Sequence, residues 1–174
     1  SGTVSLGTSI TAVNDAPVAS GSATLAAVNE DTASPSGATV SSLFSGRFSD
    51  ATDAVTGGSS ANTLAGVAVT GYTADLTKGT WQYSLNAGTS WQAVGSVSDS
   101  SALTLGSSDL LRFVPTSNWN GTAPSLTTRL LDSSAAVTSG ATGVDVSSNG
   151  GSTAISSGTV SLGTSITAVN DAPV

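Results

Sequence analysis

The segment SGTVSLGTSITAVNDAPV, residues 157–174, places Val160, Leu162, Thr164 and Ile166 at every second position, with Ser161, Gly163 and Ser165 between them. A period of two sends successive side chains to opposite faces of an extended chain, so the segment predicts a strand with one buried face. The same alternation recurs upstream. Val67 with Val69 forms one run, Trp81, Tyr83 and Leu85 a second, Leu103 with Leu105 a third, Leu111 with Phe113 a fourth, and Leu126, Thr128 and Leu130 a fifth. Turn formers punctuate these runs at Asn86-Ala87-Gly88, Asn120-Gly121, Asn149-Gly150-Gly151 and Asp171-Ala172-Pro173. No window holds a 3.6-residue period over three turns, although Val40 to Phe44 has room for one short helical turn. Seven or more short strands so separated predict an all-β chain folded as an antiparallel β-sandwich.

The same eighteen residues stand, unchanged, at Ser1–Val18. Two identical ends around one unique stretch are what one period plus an overlap of a tandem array would contain, and the offset of 156 residues is long enough for each unit to own a core. The expected division is residues 1–18 as the linker and end strand of a preceding repeat, 19–169 as the repeat itself, and 170–174 as the linker to the next. The first copy, without its own unit, is expected to be less ordered than the second or to pair with another chain.

Composition narrows the chemistry. Ser (33), Thr (25), Ala (24) and Gly (20) supply 102 of 174 positions, so the aromatic core is small. There is no cysteine and no histidine, which excludes disulfides, thiolate or imidazole metal sites and histidine-based triads. The net charge of −7 rests on eleven acidic against four scattered basic residues and speaks against binding a nucleic-acid backbone. Mean hydropathy is +0.19, and the apolar runs fall far short of the roughly 20 residues that span a bilayer, so a soluble segment is expected.

Ten of the eleven acids are Asp. Isolated ones, such as Asp75, Asp99 and Asp109, read as turn residues. Clusters differ, because neighbouring carboxylates repel and persist best around a cation. The clusters are Asn14-Asp15, Asn29-Glu30-Asp31, Asp50 with Asp53, and Asn170-Asp171. Calcium takes six to eight hard oxygens from carboxylates, amides and backbone carbonyls, which are the groups gathered here. Trp81 is in phase with Tyr83 and reads as core. Trp91 and Trp119 lie nearer turns, where packing and ligand stacking are both open.

Several motifs, taken in order, resemble the cadherin-like tandem repeats of giant bacterial surface proteins, including RTX adhesins. AVNDAPV, at Ala12–Val18 and Ala168–Val174, is similar to the interdomain linker whose Asn and Asp ligate calcium between modules. VNEDT at Val28–Thr32 resembles the early acidic motif, which implies Glu30 as a ligand. FSDATD at Phe48–Asp53 resembles the family's Asp-x-Asp-Gly loop, with one residue more between its acids. GTWQYSLNAGTSWQAV at Gly79–Val94 is similar to a hairpin common in such repeats, and FVPTSNWNGTAP at Phe113–Pro124 to another shared stretch; Asp132 then falls where a late ligand would stand. The resemblance implies an Ig-like, cadherin-like sandwich of about seven to nine strands and Ca2+ held by some of Asn14, Asp15, Glu30, Asp31, Asp50, Asp53, Asp132, Asn170 and Asp171. Gly140–Asp145 imitates a single copy of a glycine-rich calcium nonapeptide, but such a roll needs stacked copies, so it reads as an ordinary loop.

The function expected is a non-enzymatic spacer, one link of an extracellular bacterial adhesin, monomeric and joined only to identical neighbours in its own chain. The alternative is a lectin-like or surface-binding module that uses Trp91 or Trp119 beside a bound ion and acts by avidity. An enzyme using Asp50 and Asp53 as a carboxylate pair is a third class, and the closeness of the two residues suits one cation loop better than two flanks of a substrate.

Overall fold

Apolar alternation becomes structure only where two such faces meet, and here one core cluster gathers the inward side chains of two sheets. A computed structural model describes residues 1–171. Its early strands are short: β1 (Val18–Ala19), β2 (Ser22–Thr24), β3 (Val28–Asn29) and β4 (Ala38–Thr39), followed by the helix α1 (Val40–Phe44) and β5 (Phe48–Ser49). Longer strands follow in β6 (Leu64–Tyr72), β7 (Gly79–Ser84), β8 (Gln92–Ala93), β9 (Leu103–Gly106) and β10 (Leu110–Pro115). The last are β11 (Gly121–Thr122), β12 (Leu126–Asp132), β13 (Val160–Gly163) and β14 (Ser165–Thr167).

A five-stranded sheet runs β2-β13-β12-β6-β9 and a four-stranded sheet β4-β10-β7-β8; β1 pairs with β5, and β14 lies between β11 and β3. Val67, Val69, Leu103, Leu105, Leu126, Leu130, Val160 and Leu162 face Trp81, Tyr83, Leu111 and Phe113 in the shared core. Trp81 is fully buried, stands edge-on to Phe113 at 5.5 Å, and its Nε1 donates to the Pro124 carbonyl at 2.6 Å. Gly79 opens β7 at φ +144°, where an added Cβ would lie 2.3 Å from the Val114 carbonyl oxygen, so the close approach of β7 and β10 requires glycine there.

The all-β expectation stands, and three details differ. Among the described residues there are fourteen strands rather than seven to nine, because six are two-residue segments that a partner defines rather than an alternating pattern. Pairing is not wholly antiparallel: β2 runs parallel to β13 and β3 parallel to β14. Both pairs enter from the end of the sheet where Asp132 lies, hereafter the upper end, after the long 133–159 connection has returned the chain there; two adjacent strands entering from one end must be parallel. Leu85 lies outside β7 and is exposed, because the Ser84 hydroxyl accepts from the Gly88 amide at 2.9 Å and turns the chain.

The two copies of the repeated segment differ in strand pairing and in the burial of their apolar positions. Val160, Leu162, Thr164 and Ile166 are buried, whereas Ser1–Val13 contains no strand and its Val4, Leu6 and Ile10 are 96%, 98% and 94% exposed. The Asp171-Ala172-Pro173 turn and the end of the second AVNDAPV extend beyond the described residues.

The 133–159 connection covers the outer face of the five-stranded sheet, where Val137, Val144 and Ile155 pack on Ala68, Ala102, Leu131 and Val146. Arg129 fastens it. From β12 its Nε donates to Asp99 at 2.8 Å, and Nη1 donates to the carbonyls of Ser156 and Ser157 at 3.1 and 2.6 Å. The Arg129 hydrogen bond holds the Asp99 carboxyl below its ordinary range, so the pair's contribution is present above the unfolded pKa of about 3.9 and is lost as pH falls through the folded value. Replacing Arg129→Met is expected to cost about 2 kcal/mol, a fall of about 4–8 °C in Tm at neutral pH. The gap to wild type should narrow on acidification, which a pH series of thermal melts would read.

Candidate metal centre

Three carboxylates lie in one neighbourhood at the upper end, each for a local reason. Asp132 closes β12 beyond a register shift against β6 and is wholly buried. Asp50 and Asp53 bracket a single 3-10 turn, Ala51–Asp53, whose three-residue period brings side chains three apart onto one side. Both are buried, although the sequence around them is hydrophilic. The extra residue between the two acids is what this turn accommodates.

Carboxamides from two distant segments join them. Asn62 Nδ2 donates to Asp53 Oδ2 at 3.1 Å and to Asn14 Oδ1 at 2.8 Å, while the Asn62 backbone N–H donates to Asp50 Oδ2. Asn14 Nδ2 reaches Asp132 Oδ2 at 3.4 Å and the Thr153 carbonyl at 3.2 Å. The Asp15 backbone N–H donates to Asp53 Oδ1 at 2.9 Å, leaving the Asp15 side chain exposed at the rim. The Asp132 Oδ1 atom accepts from the Ser134 N–H at 2.7 Å and from its hydroxyl, so Ser133-Ser134 makes the turn without glycine.

Asp50 Oδ1 is buried and has no hydrogen-bond partner. Burial pushes the Asp50 carboxyl above its ordinary pKa; the charges of Asp53 and Asp132 push it further, against the opposing hydrogen bonds from Asn62. An orphaned carboxylate oxygen beside two like charges is a strained arrangement that a hard cation would relieve. Among the described residues no group of three or more acidic side chains is placed to hold a metal ion by itself. The amides stand between them, and a half-turn of the Asn62 or Asn14 carboxamide would replace an N–H donor with an oxygen ligand.

The opposite, lower end holds Glu30. It follows β3, is buried, accepts the Val169 N–H at 2.7 Å through Oε1 and the Asn120 amide at 3.1 Å through Oε2. Asp31, exposed and at φ +64°, accepts the Asn118 N–H at 2.8 Å. Asn170 and Asp171 leave β14 directly beyond this contact and are exposed.

The chain matches no protein-family model, no curated protein and no solved structure.

The nine residues singled out from sequence thus fall into two groups. Asn14, Asp15, Asp50, Asp53 and Asp132 come together above; Glu30, Asp31, Asn170 and Asp171 lie below. The ends are separated by the path from Asp132 down β12 and on through β13 and β14, about 40 Å at 3.3 Å per residue. Sequence reasoning missed Asn62, which bonds two of the upper carboxylates, Asp50 and Asp53, and the partners Asn118 and Asn120 of the lower acids. Asn62 carries no acidic neighbour to advertise it, and its role depends on a loop folding back.

The isolated acids behave as local ties. Asp75 accepts from Thr77 and pairs with Lys78 at 3.4 Å, Asp109 accepts the Gly106 N–H at 2.7 Å, and Asp145 accepts from Ser147 in an ordinary loop; Asp99, by contrast, is an ion-pair partner of Arg129. Trp91 lies over the buried Arg112 guanidinium at 3.9 Å, and Trp119 packs on Phe113 with ring centroids 6.5 Å apart.

Proposed function

We propose that this chain is one spacer unit of a tandem array, an Ig-like, cadherin-like sandwich in an extracellular bacterial adhesin, made rigid by Ca2+ at its joints. The observation that supports this is the placement of one Asn-Asp sequence twice. Asn14-Asp15 sits among Asp50, Asp53 and Asp132 at the upper end, and the identical Asn170-Asp171 departs from beside Glu30 at the lower end. If each linker is both things at once, a joint brings Glu30 of one unit to the upper cluster of the next with Asn-Asp between them. The ligands would be the carboxylates of Glu30, Asp50, Asp53, Asp132 and the linker Asp, helped by the amide oxygens of Asn62 and the linker Asn. These are hard oxygens, suited to calcium and poorly suited to soft metals.

The packing of the tryptophans favours a spacer over a lectin-like module. Trp81 is interior, Trp119 is set edge-on to Phe113, and Trp91 has Arg112 over one face, so each ring is engaged in packing. Asp50 and Asp53 are both buried and bracket one 3-10 turn rather than flanking an open cleft, which favours a non-enzymatic role.

A spacer has a measurable signature in its increments. Small-angle scattering from arrays of one, two and four repeats in calcium should show the maximum dimension growing by about 40 Å per repeat, linearly with number. Growth with the square root of repeat number, as for a flexible chain, would refute the reading.

A further inference from the structure

We infer that the leading segment Ser1–Thr11 is a donor strand whose acceptor is the β13–β14 position of a second copy of this chain. Its sequence is that of Ser157–Thr167, and only the surroundings differ. In the second setting Val160, Leu162 and Ile166 are 0%, 0% and 4% exposed; in the first, the matching Val4, Leu6 and Ile10 project almost wholly into water. Three large apolar side chains on one face of an unpaired segment are an unmet sheet partner, and the slot that satisfies them is already defined in atomic detail by their duplicate.

That slot is internal rather than at an edge. β13 lies between β2 and β12, with Leu162 opposite Ala23 on one side and Leu126 on the other. β14 lies between β3 and β11. The Leu25 N–H donates to the Gly163 carbonyl at 2.9 Å, the Ala123 N–H to Thr164 at 3.1 Å, the Glu30 N–H to Thr167 at 2.9 Å, and Thr128 Oγ1 to Val160 at 2.9 Å. Every one of these acceptors is a backbone carbonyl, so residues 4–11 can supply them all without a change of side chain. Direction also agrees: Thr11 precedes Asn14 at this unit's upper end, so a donated strand lies in a unit stacked above and leaves by that unit's lower end, as Thr167 leaves this one. In the intact chain the C-terminal copy holds the slot by its tethered, high local concentration. A second molecule whose own copy is displaced can therefore accept this strand, as in domain swapping.

The test disables one copy at a time in the full chain. Leu162→Asp should unseat β13 and leave the slot to the leading segment of another molecule, giving dimers and longer chains in sedimentation velocity that increase with concentration. Leu6→Asp combined with Leu162→Asp should abolish them. Should Leu162→Asp alone prove unfolded, a synthetic peptide of residues 1–18 is expected to restore its cooperative melt and buried tryptophan emission at one equivalent, and the same peptide with Leu6→Asp to fail. Neither association nor rescue, or either one occurring equally with Leu6→Asp, would overturn the inference. The pairing uses strand register and no metal, so its outcome should be the same in calcium and in chelator, which separates its failure from failure of the joint proposed above.

Discussion

Calcium added to chelated protein should raise its melting temperature by about 5–10 °C for each site filled. An ion at a hundredfold its dissociation constant adds about 2.7 kcal/mol, and a chain of this size gains about 2–4 °C per kcal/mol. The upper cluster also dictates how one variant must behave. Because burial first, and then Asp53 and Asp132, raise the folded pKa of Asp50, the native state binds more protons than the unfolded one between the two pKa values. Stability in chelator therefore falls as pH rises through that window and is recovered on acidification. Asp50→Asn removes the titrating charge while preserving shape. In chelator at neutral pH it should melt above wild type; in calcium it should lose most of the wild-type gain, so the two curves change order. Absence of any calcium-dependent rise in wild type would remove the metal from the proposal, and a variant that melts lower in chelator would show that Asp50 is a structural carboxylate held by the Asn62 amide.

A four-repeat array should be about 160 Å long in calcium and behave in chelator as four hinged segments, with a root-mean-square end-to-end distance near 80 Å. The halving follows from placing charge on both sides of a short linker. In the proposed joint, Glu30 and the linker Asp of one unit would face Asp50, Asp53 and Asp132 of the next, and without a cation like charges would drive the joint open. Each unit should keep its fold, since the shared core between the sheets contains none of these residues. Glu30→Gln at every joint should loosen the array in calcium, and Asp171→Ala should do the same. An unchanged dimension in chelator would mean that packing alone stiffens the joints, and stiffness surviving Asp171→Ala would exclude that residue.

The longer strands were legible because half-burial leaves a period of two, as at Trp81 and Tyr83 or at Val160 and Leu162. The 133–159 connection was not. Val137, Val144 and Ile155 cover the sheet through isolated bridges and single contacts, which impose no period. Two-residue strands such as β3 and β11 are likewise invisible without the neighbour that defines them. At the site, acidic clusters pointed to both ends because charge repulsion is written in adjacent residues. Asn62 left no such trace, since an amide becomes functional only through what folds against it. The parallel pairing of β2 with β13 was hidden for the same reason: it joins residues about 140 positions apart, and no local pattern encodes strand direction.

That parallel pairing determines how the unit meets a pulling force. In the proposed array, tension would enter at the upper end through Asp15 and Val18 and leave at the lower end through Thr167, so it would draw β2 upward and β13 downward along their common ladder. Parallel terminal strands pulled from opposite ends are loaded in shear: their hydrogen bonds must fail together rather than unzip one at a time. The β3–β14 pair adds a second ladder in the same orientation, placed just above the point where the load is handed to the next unit. In the proposed array, the strands nearest the two joints would thus also be the ones that clamp the unit shut under a tether's drag.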